Sequence, residues 1–355
     1  MRVALFILSL SALAAPAAAQ RPAGYPRSYD ALIAEARAER GVRVYGNADA
    51  ASMKAVIDDF RRRYPGVTVA YDDLESREIF RRVVTERRTR AARADLIWSS
   101  AMDLQVKLIN DGYGQAYQSP EKPALPAAAV WKNIGYGVTA EPVALVYNRR
   151  QIARADVPRT HEALERFLRT APVRRRVATY DPARSNVGYL YLAEDWATTN
   201  DTRSLVAAIA ATRPLLAATA SPTLDAVAEG RAAIGYNVVS AYALARAQRD
   251  ARLGVAFFRD YSIIASRVAF VSRDAPHPAA ARLFLDFLLS RTGQTLLARA
   301  WLLPVRSDVR APRLNPTHVR PIRVGPQLLV NLDTIKRRRF LAEWRATLAQ
   351  EAPRP

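Results

Sequence analysis

The stretch VYGNADAASMKAVIDDFRRRYPGVTVAY, residues 44–71, decides the fold. Val42, Val44 and Tyr45 form a short apolar strand pattern that breaks at Gly46-Asn47. Met53, Val56, Ile57, Phe60 and Tyr64 then recur at helical spacing until Pro65-Gly66 stops them, and Val67, Val69 and Tyr71 alternate as a second strand. Strand, amphipathic helix and strand within thirty residues make a βαβ unit, which predicts an α/β sheet with parallel neighbours.

The same alternation runs outward in both directions. Residues 29–40 read as a helix closed by Gly41, Ile79 to Val84 as another, and residues 95–98 as a third strand. Pro120, Pro123 and Pro126 mark a surface connection over 118–135, after which Val138 to Tyr147 reads as one strand long enough to pass between two lobes. A second α/β run follows: helix 161–169, strand 176–180, helix from Val187, helix 222–229, strand 232–236 and helix 240–249. Strands at 255–258 and 266–271, an apolar helix AAARLFLDFLLS, a Pro- and Arg-rich stretch 304–325 and a closing helix 327–349 with the basic run Lys336 to Arg339 complete the chain.

Composition narrows the class. The 355 residues exceed what one simple core needs. Arg2 followed by the apolar run Val3–Leu13 and Ala17-Ala18-Ala19 predicts a signal peptide over residues 1–19 and export of the remainder. No cysteine is present, so the core holds without disulfides, and a lipid-anchored cysteine is excluded. The formal net charge of +20 is compatible with nucleic acid, an acidic membrane surface or an anionic small ligand, or with an arginine-rich coding bias. Export argues against nucleic acid.

Catalytic signatures are missing. The sequence has no G-x-S-x-G, H-E-x-x-H, P-loop or glycine-rich dinucleotide fingerprint, and His161, His277 and His318 stand in contexts unsuited to a triad. Asp72, Asp73 and Glu75 read as a solvated acidic turn, and Tyr189 and Tyr191 as packing residues.

Binding signatures are present. In open α/β sheets ligands lie beyond the carboxyl ends of strands, where helix N-termini offer free N–H groups. Four such loops are short and polar: Gly46-Asn47, Ser99-Ser100, Arg184-Ser185-Asn186 and Tyr236-Asn237. Arginine, serine and asparagine together suit a phosphate or carboxylate, while capping by Ser185 or Asn186 with Arg184 in solvent is the alternative. The candidate ligand-binding set is therefore Asn47, Ser99, Ser100, Arg184, Ser185, Asn186 and Asn237, with Ser76 and Arg77 in second rank.

VYGNADAASMKAVIDDFRRRYPGVTVAY, ADLIWSS, ALVYNRR, VAEGRAAIGY and AARLFLDFLLSRTGQTLL, in this order, resemble the extracellular solute-binding proteins of ABC-type uptake systems, in the group that includes ferric-ion-binding proteins. The resemblance implies a type II periplasmic binding protein fold: two lobes, each a mostly parallel sheet flanked by helices, hinged over a cleft. It divides the chain into lobe 1 at 20–139 and 264–303, lobe 2 at 140–263, and a tail with a closing helix at 304–355. Where ferric members place anionic or phenolic ligands, this chain has Asp49, Ser100, Asn237 and Val238, a set poor in hard anionic donors. ADLIWSSAMDLQVKLINDGY and DTIKRRRFLAEW are similar to phosphoglycerate transport regulatory and organophosphate-binding members, some of them tied to sensor kinases. The expectation is a monomeric periplasmic protein that takes a small anionic solute, needs no cofactor or metal, performs no catalysis and meets an ABC permease or a sensor-kinase periplasmic domain. Ferric iron or an iron chelate is the alternative ligand, and a ligand-sensing input protein the alternative role.

Overall fold

The computed structural model describes residues 21–91, 93–170, 176–199, 201–310 and 318–350. The expected leader over 1–19 lies outside them.

Two sheets organise the molecule. In the first, strands Gly41–Gly46, Thr68–Asp73 and Leu96–Ser99 run parallel, and Val268–Val271, Gly135–Gly137 and Val130–Trp131 extend the sheet antiparallel. In the second, Val177–Tyr180 lies parallel to both Ile234–Val239 and Leu215–Ala217, while Glu141–Asn148 pairs antiparallel with Ile234–Val239, Leu253–Ala256 and Ser262–Ala265. Both sheets are thus mixed rather than mostly parallel. The antiparallel members include Glu141–Asn148 and Val268–Val271, which the chain enters as it passes between the sheets.

Helices cover the sheets through apolar faces. In the first lobe Phe60 meets Phe284 and Phe287 with ring centroids 4.9 and 5.4 Å apart, so helices Ala50–Arg63 and Pro278–Leu289 share one core. In the second, Leu145, Leu164, Leu168, Ile209 and Ile234 form a core of their own.

Local differences from the expected elements have plain causes. Val138 to Tyr147 is broken at residues 138–140, where Thr139 leaves the first sheet and bridges to Pro304. Helix Thr202–Ala211 and strand Leu215–Ala217 escaped the sequence reading because alanines blur the helical period and the strand is three residues long. The closing helix begins later than expected, at Thr334, after a 3-10 segment Pro326–Leu332. That segment packs on helix Met102–Asn110 of the first lobe, and helix Thr334–Gln350 packs on Thr202–Ala211 of the second. Trp344 is buried there with Leu192 and Val206.

Candidate binding cleft

Strand register assembles the first wall. Gly46 stands opposite both Asp73 and Trp98, so the chain leaves all three strands at one sheet edge. Asn47, Ser76 and Ser100 therefore emerge side by side.

Their side chains form one network. Asn47 Nδ2 donates to Ser76 Oγ at 2.8 Å and to Ser100 Oγ at 2.7 Å, while its Oδ1 accepts from the Ser100 amide at 3.1 Å. Tyr71 Oη donates to the Ala48 carbonyl at 2.6 Å and accepts from the Ala48 amide at 3.0 Å, holding the loop against the sheet. Glycine is required at position 46, because a Cβ there would stand 2.4 Å from that same phenol oxygen.

Beneath this wall lies a buried charge pair. Arg267, between strands Ser262–Ala265 and Val268–Val271 where the chain changes lobe, donates from Nε to Glu141 Oε1 at 2.9 Å. Its Nη1 donates to the Asn47 carbonyl at 2.9 Å and to Asn47 Oδ1 at 2.8 Å. Burial works against the guanidinium charge, but Glu141 and the surrounding phenols outweigh it and hold Arg267 protonated. Asn47 is thus oriented from the hinge side, and its amide N–H groups are directed at the serines.

The second wall comes from the other sheet. Tyr180 pairs with Ala217, which brings the loops 181–185 and 218–219 to its edge. Ser185 accepts from the Gly188 amide at 3.2 Å and caps helix Asn186–Thr198. Arg184 is exposed, with Asp181 a distant 3.9 Å away. Asn186 bridges the lobes: Nδ2 donates to Asp103 Oδ1 at 2.7 Å, and Oδ1 accepts from Arg337 at 3.3 Å. Tyr242 bridges them again, donating to the Asn47 carbonyl at 3.0 Å.

Between the walls is a cleft of about 690 Å³ lined by Asn47, Ser76, Arg77, Ser100, Arg184, Ser185, Asn186 and Tyr242, and also by the acidic residues Asp49, Asp73, Glu75 and Glu78. Asp73 among these is used to accept from the Ala50 amide at 3.0 Å, and Glu78 pairs with Arg82 at 2.9 Å. Asp49 and Glu75 are exposed. The uncharged hydroxyl and amide groups of Asn47, Ser76 and Ser100 make the floor.

Two expected site residues lie elsewhere. Ser99 is 1% exposed, under the cleft surface, and donates to Ser76 Oγ at 3.0 Å while accepting from the Ala101 amide at 3.2 Å. Strand alternation turns it inward while Ser100 faces out. Asn237 sits inside the second lobe, where Nδ2 donates to Asp195 Oδ2 at 2.5 Å. The register of strand Ile234–Val239 slips there, with Ala144 opposite Val238 and Val146 opposite Gly235, so Tyr236 and Asn237 share the place of one residue. Asn237 takes φ 57°, and this bulge redirects its side chain to the interior.

Tyr242, Arg267 and Arg337 are the site-adjacent residues that the sequence reading did not single out. A cation inside the strand-like SRVAFV was a usable signal for Arg267. Arg337 stood in the noted basic run, but nothing local tied that helix to the cleft. Among the described residues no group of three or more His, Asp or Glu side chains is placed to hold a metal ion. Tyr189 packs against Phe340 and Arg337, and Tyr191 is buried.

Two α/β lobes joined by crossing strands around a polar cleft define a ligand-binding receptor. The chain belongs to the bacterial extracellular solute-binding protein family, whose model matches residues 42–301. A substrate-binding protein of an ABC transporter from Agrobacterium tumefaciens is 33% identical, with TM-score 0.80 over 87% of this chain and 94% of that one. The fold is also similar, at 16% identity, to AfuA from Actinobacillus pleuropneumoniae with fructose-6-phosphate bound (TM-score 0.68, covering 87% and 99%). Iron-bound HitA from Pseudomonas aeruginosa is another neighbour at 16% identity (TM-score 0.65, covering 88% and 99%). No match was found among curated protein sequences.

Proposed function

We propose that this protein is a periplasmic receptor that closes two lobes, residues 20–139 with 264–303 and residues 140–263, over a small phosphorylated or carboxylated solute and delivers it to an ABC importer. The observation that carries this reading is the floor: Asn47, Ser76 and Ser100 offer neutral hydrogen-bonding groups for an oxyanion, while the lining carboxylates Asp73 and Glu78 are engaged by the Ala50 amide and Arg82. Arg77 and Arg184 supply positive charge at the cleft, and helices Ser76–Arg88, Met102–Asn110 and Asn186–Thr198 begin beside it. Ser185 works mainly as a cap, and Asn186 mainly as the bridge that registers one lobe on the other. Binding by closure needs neither turnover nor a cofactor.

The similarity to an ABC substrate-binding protein at 33% identity supports delivery to a permease, and the sugar phosphate in AfuA supports the ligand class. A thermal-shift series of phosphorylated and carboxylated metabolites beside ferric salts tests the reading. An anion present at about 100 times its Kd stabilises by about 2.7 kcal/mol and raises the melting temperature by several degrees. Stabilisation by ferric salts alone, or Arg184→Ala leaving the best anion's affinity unchanged, overturns it. Asp49 in the cleft lining and the iron-bound neighbour keep one second reading, iron held as a chelate; a visible absorption band on adding ferric citrate is its signature.

A further inference from the structure

Beside the cleft lies a second cavity of about 610 Å³, bounded by Arg77, Phe80, Arg81, Leu104, Leu332 and Arg337 and joined to the cleft through Arg77 and Asn186, which border both. Arg77 and Arg81 stand four residues apart on helix Ser76–Arg88 and so share one face. Arg337 approaches from helix Thr334–Gln350, its guanidinium 4.3 Å from the Tyr189 ring centroid and 3.3 Å from the Pro182 carbonyl.

Among the described residues none of these three arginines forms an ion pair, and Arg77 and Arg81 have no side-chain hydrogen bond. Of the acidic groups nearby, Glu78 pairs with Arg82. Asp103 directs Oδ1 to Asn186 and leaves Oδ2 without a hydrogen-bond partner; its charge favours that of Arg337, but burial raises its pKa and makes it a weak counter-charge. Burial lowers the affinity of Arg337 for its proton, and the neighbouring Arg77 charge lowers it further. Like charges gathered around a cavity are stabilised by an anion placed between them.

We propose that Arg77, Arg81 and Arg337 form a second anion subsite, so that the solute carries two anionic groups, one on the Asn47–Ser76–Ser100 floor and one among the arginines. Phe80, Leu104 and Leu332 provide an apolar wall for the carbon skeleton beside the second group. The inference rests on the anion-binding reading of the cleft. It also gives the closing helix a part in recognition, since Arg337 reaches the ligand from a segment that packs on the second lobe.

Calorimetric titration with fructose 6-phosphate and fructose 1,6-bisphosphate tests this with a matched pair that differs by one phosphate. The full-length protein is expected to bind the bisphosphate about tenfold or more tightly than the monophosphate. Arg337→Gln brings that ratio to about one, and Arg81→Gln, on an exposed helix face where folding is not at issue, reduces it severalfold. Arg184→Gln weakens both ligands and preserves the ratio. A ratio near one in the unaltered protein, or Arg337→Gln weakening both ligands alike, overturns the subsite and leaves the cleft reading standing. Failure of both ligands, and of every anion in the thermal-shift series, to bind overturns both.

Discussion

Asn47 and Asn237 look interchangeable in sequence, each following an apolar strand pattern and a small or aromatic residue, yet they do different work. Asn47 lies past the end of its strand, half-buried, with Ser76 and Ser100 on its amide and Arg267 behind it. Asn237 lies two residues before the end of its strand, on a bulge, and serves the buried Asp195. A strand-terminal asparagine marks a cleft only where the register lets the chain leave the sheet. One extra residue in a strand moves the same side chain from cleft to core.

The largest break in this comparison is made under Asn47. Arg267→Met leaves Glu141 charged and unpaired in the hinge, and removing one partner of a buried pair costs about 3–5 kcal/mol. The urea midpoint is expected to fall accordingly, and anion binding is lost with the orientation of Asn47. If Arg267→Met keeps wild-type stability, the pair does not organise the hinge. Adding Glu141→Met to the same chain removes the stranded charge, and is expected to recover much of the stability without recovering binding.

The two asparagines themselves come next. Asn47→Ala is expected to weaken the best anion about tenfold, because the Ser76 and Ser100 hydroxyls lose the donor that orients them. Asn237→Ala is expected to lower stability by about 1–3 kcal/mol, because Asp195 loses a donor and alanine is strained at φ 57°. Its anion affinity stays at the wild-type value in calorimetry. The reverse pattern would place the ligand in the second lobe's interior.

These residues also show how far the sequence could be read. The βαβ start was legible because Pro65-Gly66 and Gly46 punctuate clear periods, and the parallel register then brings Asn47, Ser76 and Ser100 together without further information. Ser99 was legible as a strand end, but its facing depends on which residue is last in the pleat. Asn237 was misplaced because a bulge has no composition of its own. Arg337 was beyond reach, since a helix about 150 residues downstream of Asn186 meets it only through the packing of Trp344 and its neighbours. Local patterns report local structure; contacts between the tail and the lobes are decided by tertiary packing.

Asp195 gives a smaller effect with a definite sign. Burial raises its pKa above the ordinary 3.8, against the opposing effects of His161 and of hydrogen bonds from Asn237, Tyr236 and Tyr261. Between 3.8 and the raised value the folded protein holds a proton that the unfolded chain has lost, so this group's stabilisation is complete below that window and declines as pH rises through it. Asp195→Asn is expected to flatten that decline in urea midpoints measured across the window. Parallel profiles for the two proteins would show that Asp195 is ionised in the fold. No matching effect is expected from Asn47→Asp, whose side chain lies half-exposed beside Arg267.

The smallest effects separate Ser99 from Ser100. Ser99 Oγ sits under the floor and supports Ser76, so Ser99→Ala is expected to lower stability by about 1 kcal/mol with an anion affinity within about twofold of wild type. Ser100 Oγ accepts from Asn47 and faces the cleft, so Ser100→Ala is expected to weaken the anion severalfold at nearly unchanged stability. Ser100→Asp sharpens the contrast: a carboxylate at this position repels the anion, and its penalty shrinks as salt screens the charges. Equal losses for Ser99→Ala and Ser100→Ala would mean that the floor acts as one hydrogen-bonded unit, in which Ser76 carries the effect of either serine to the ligand.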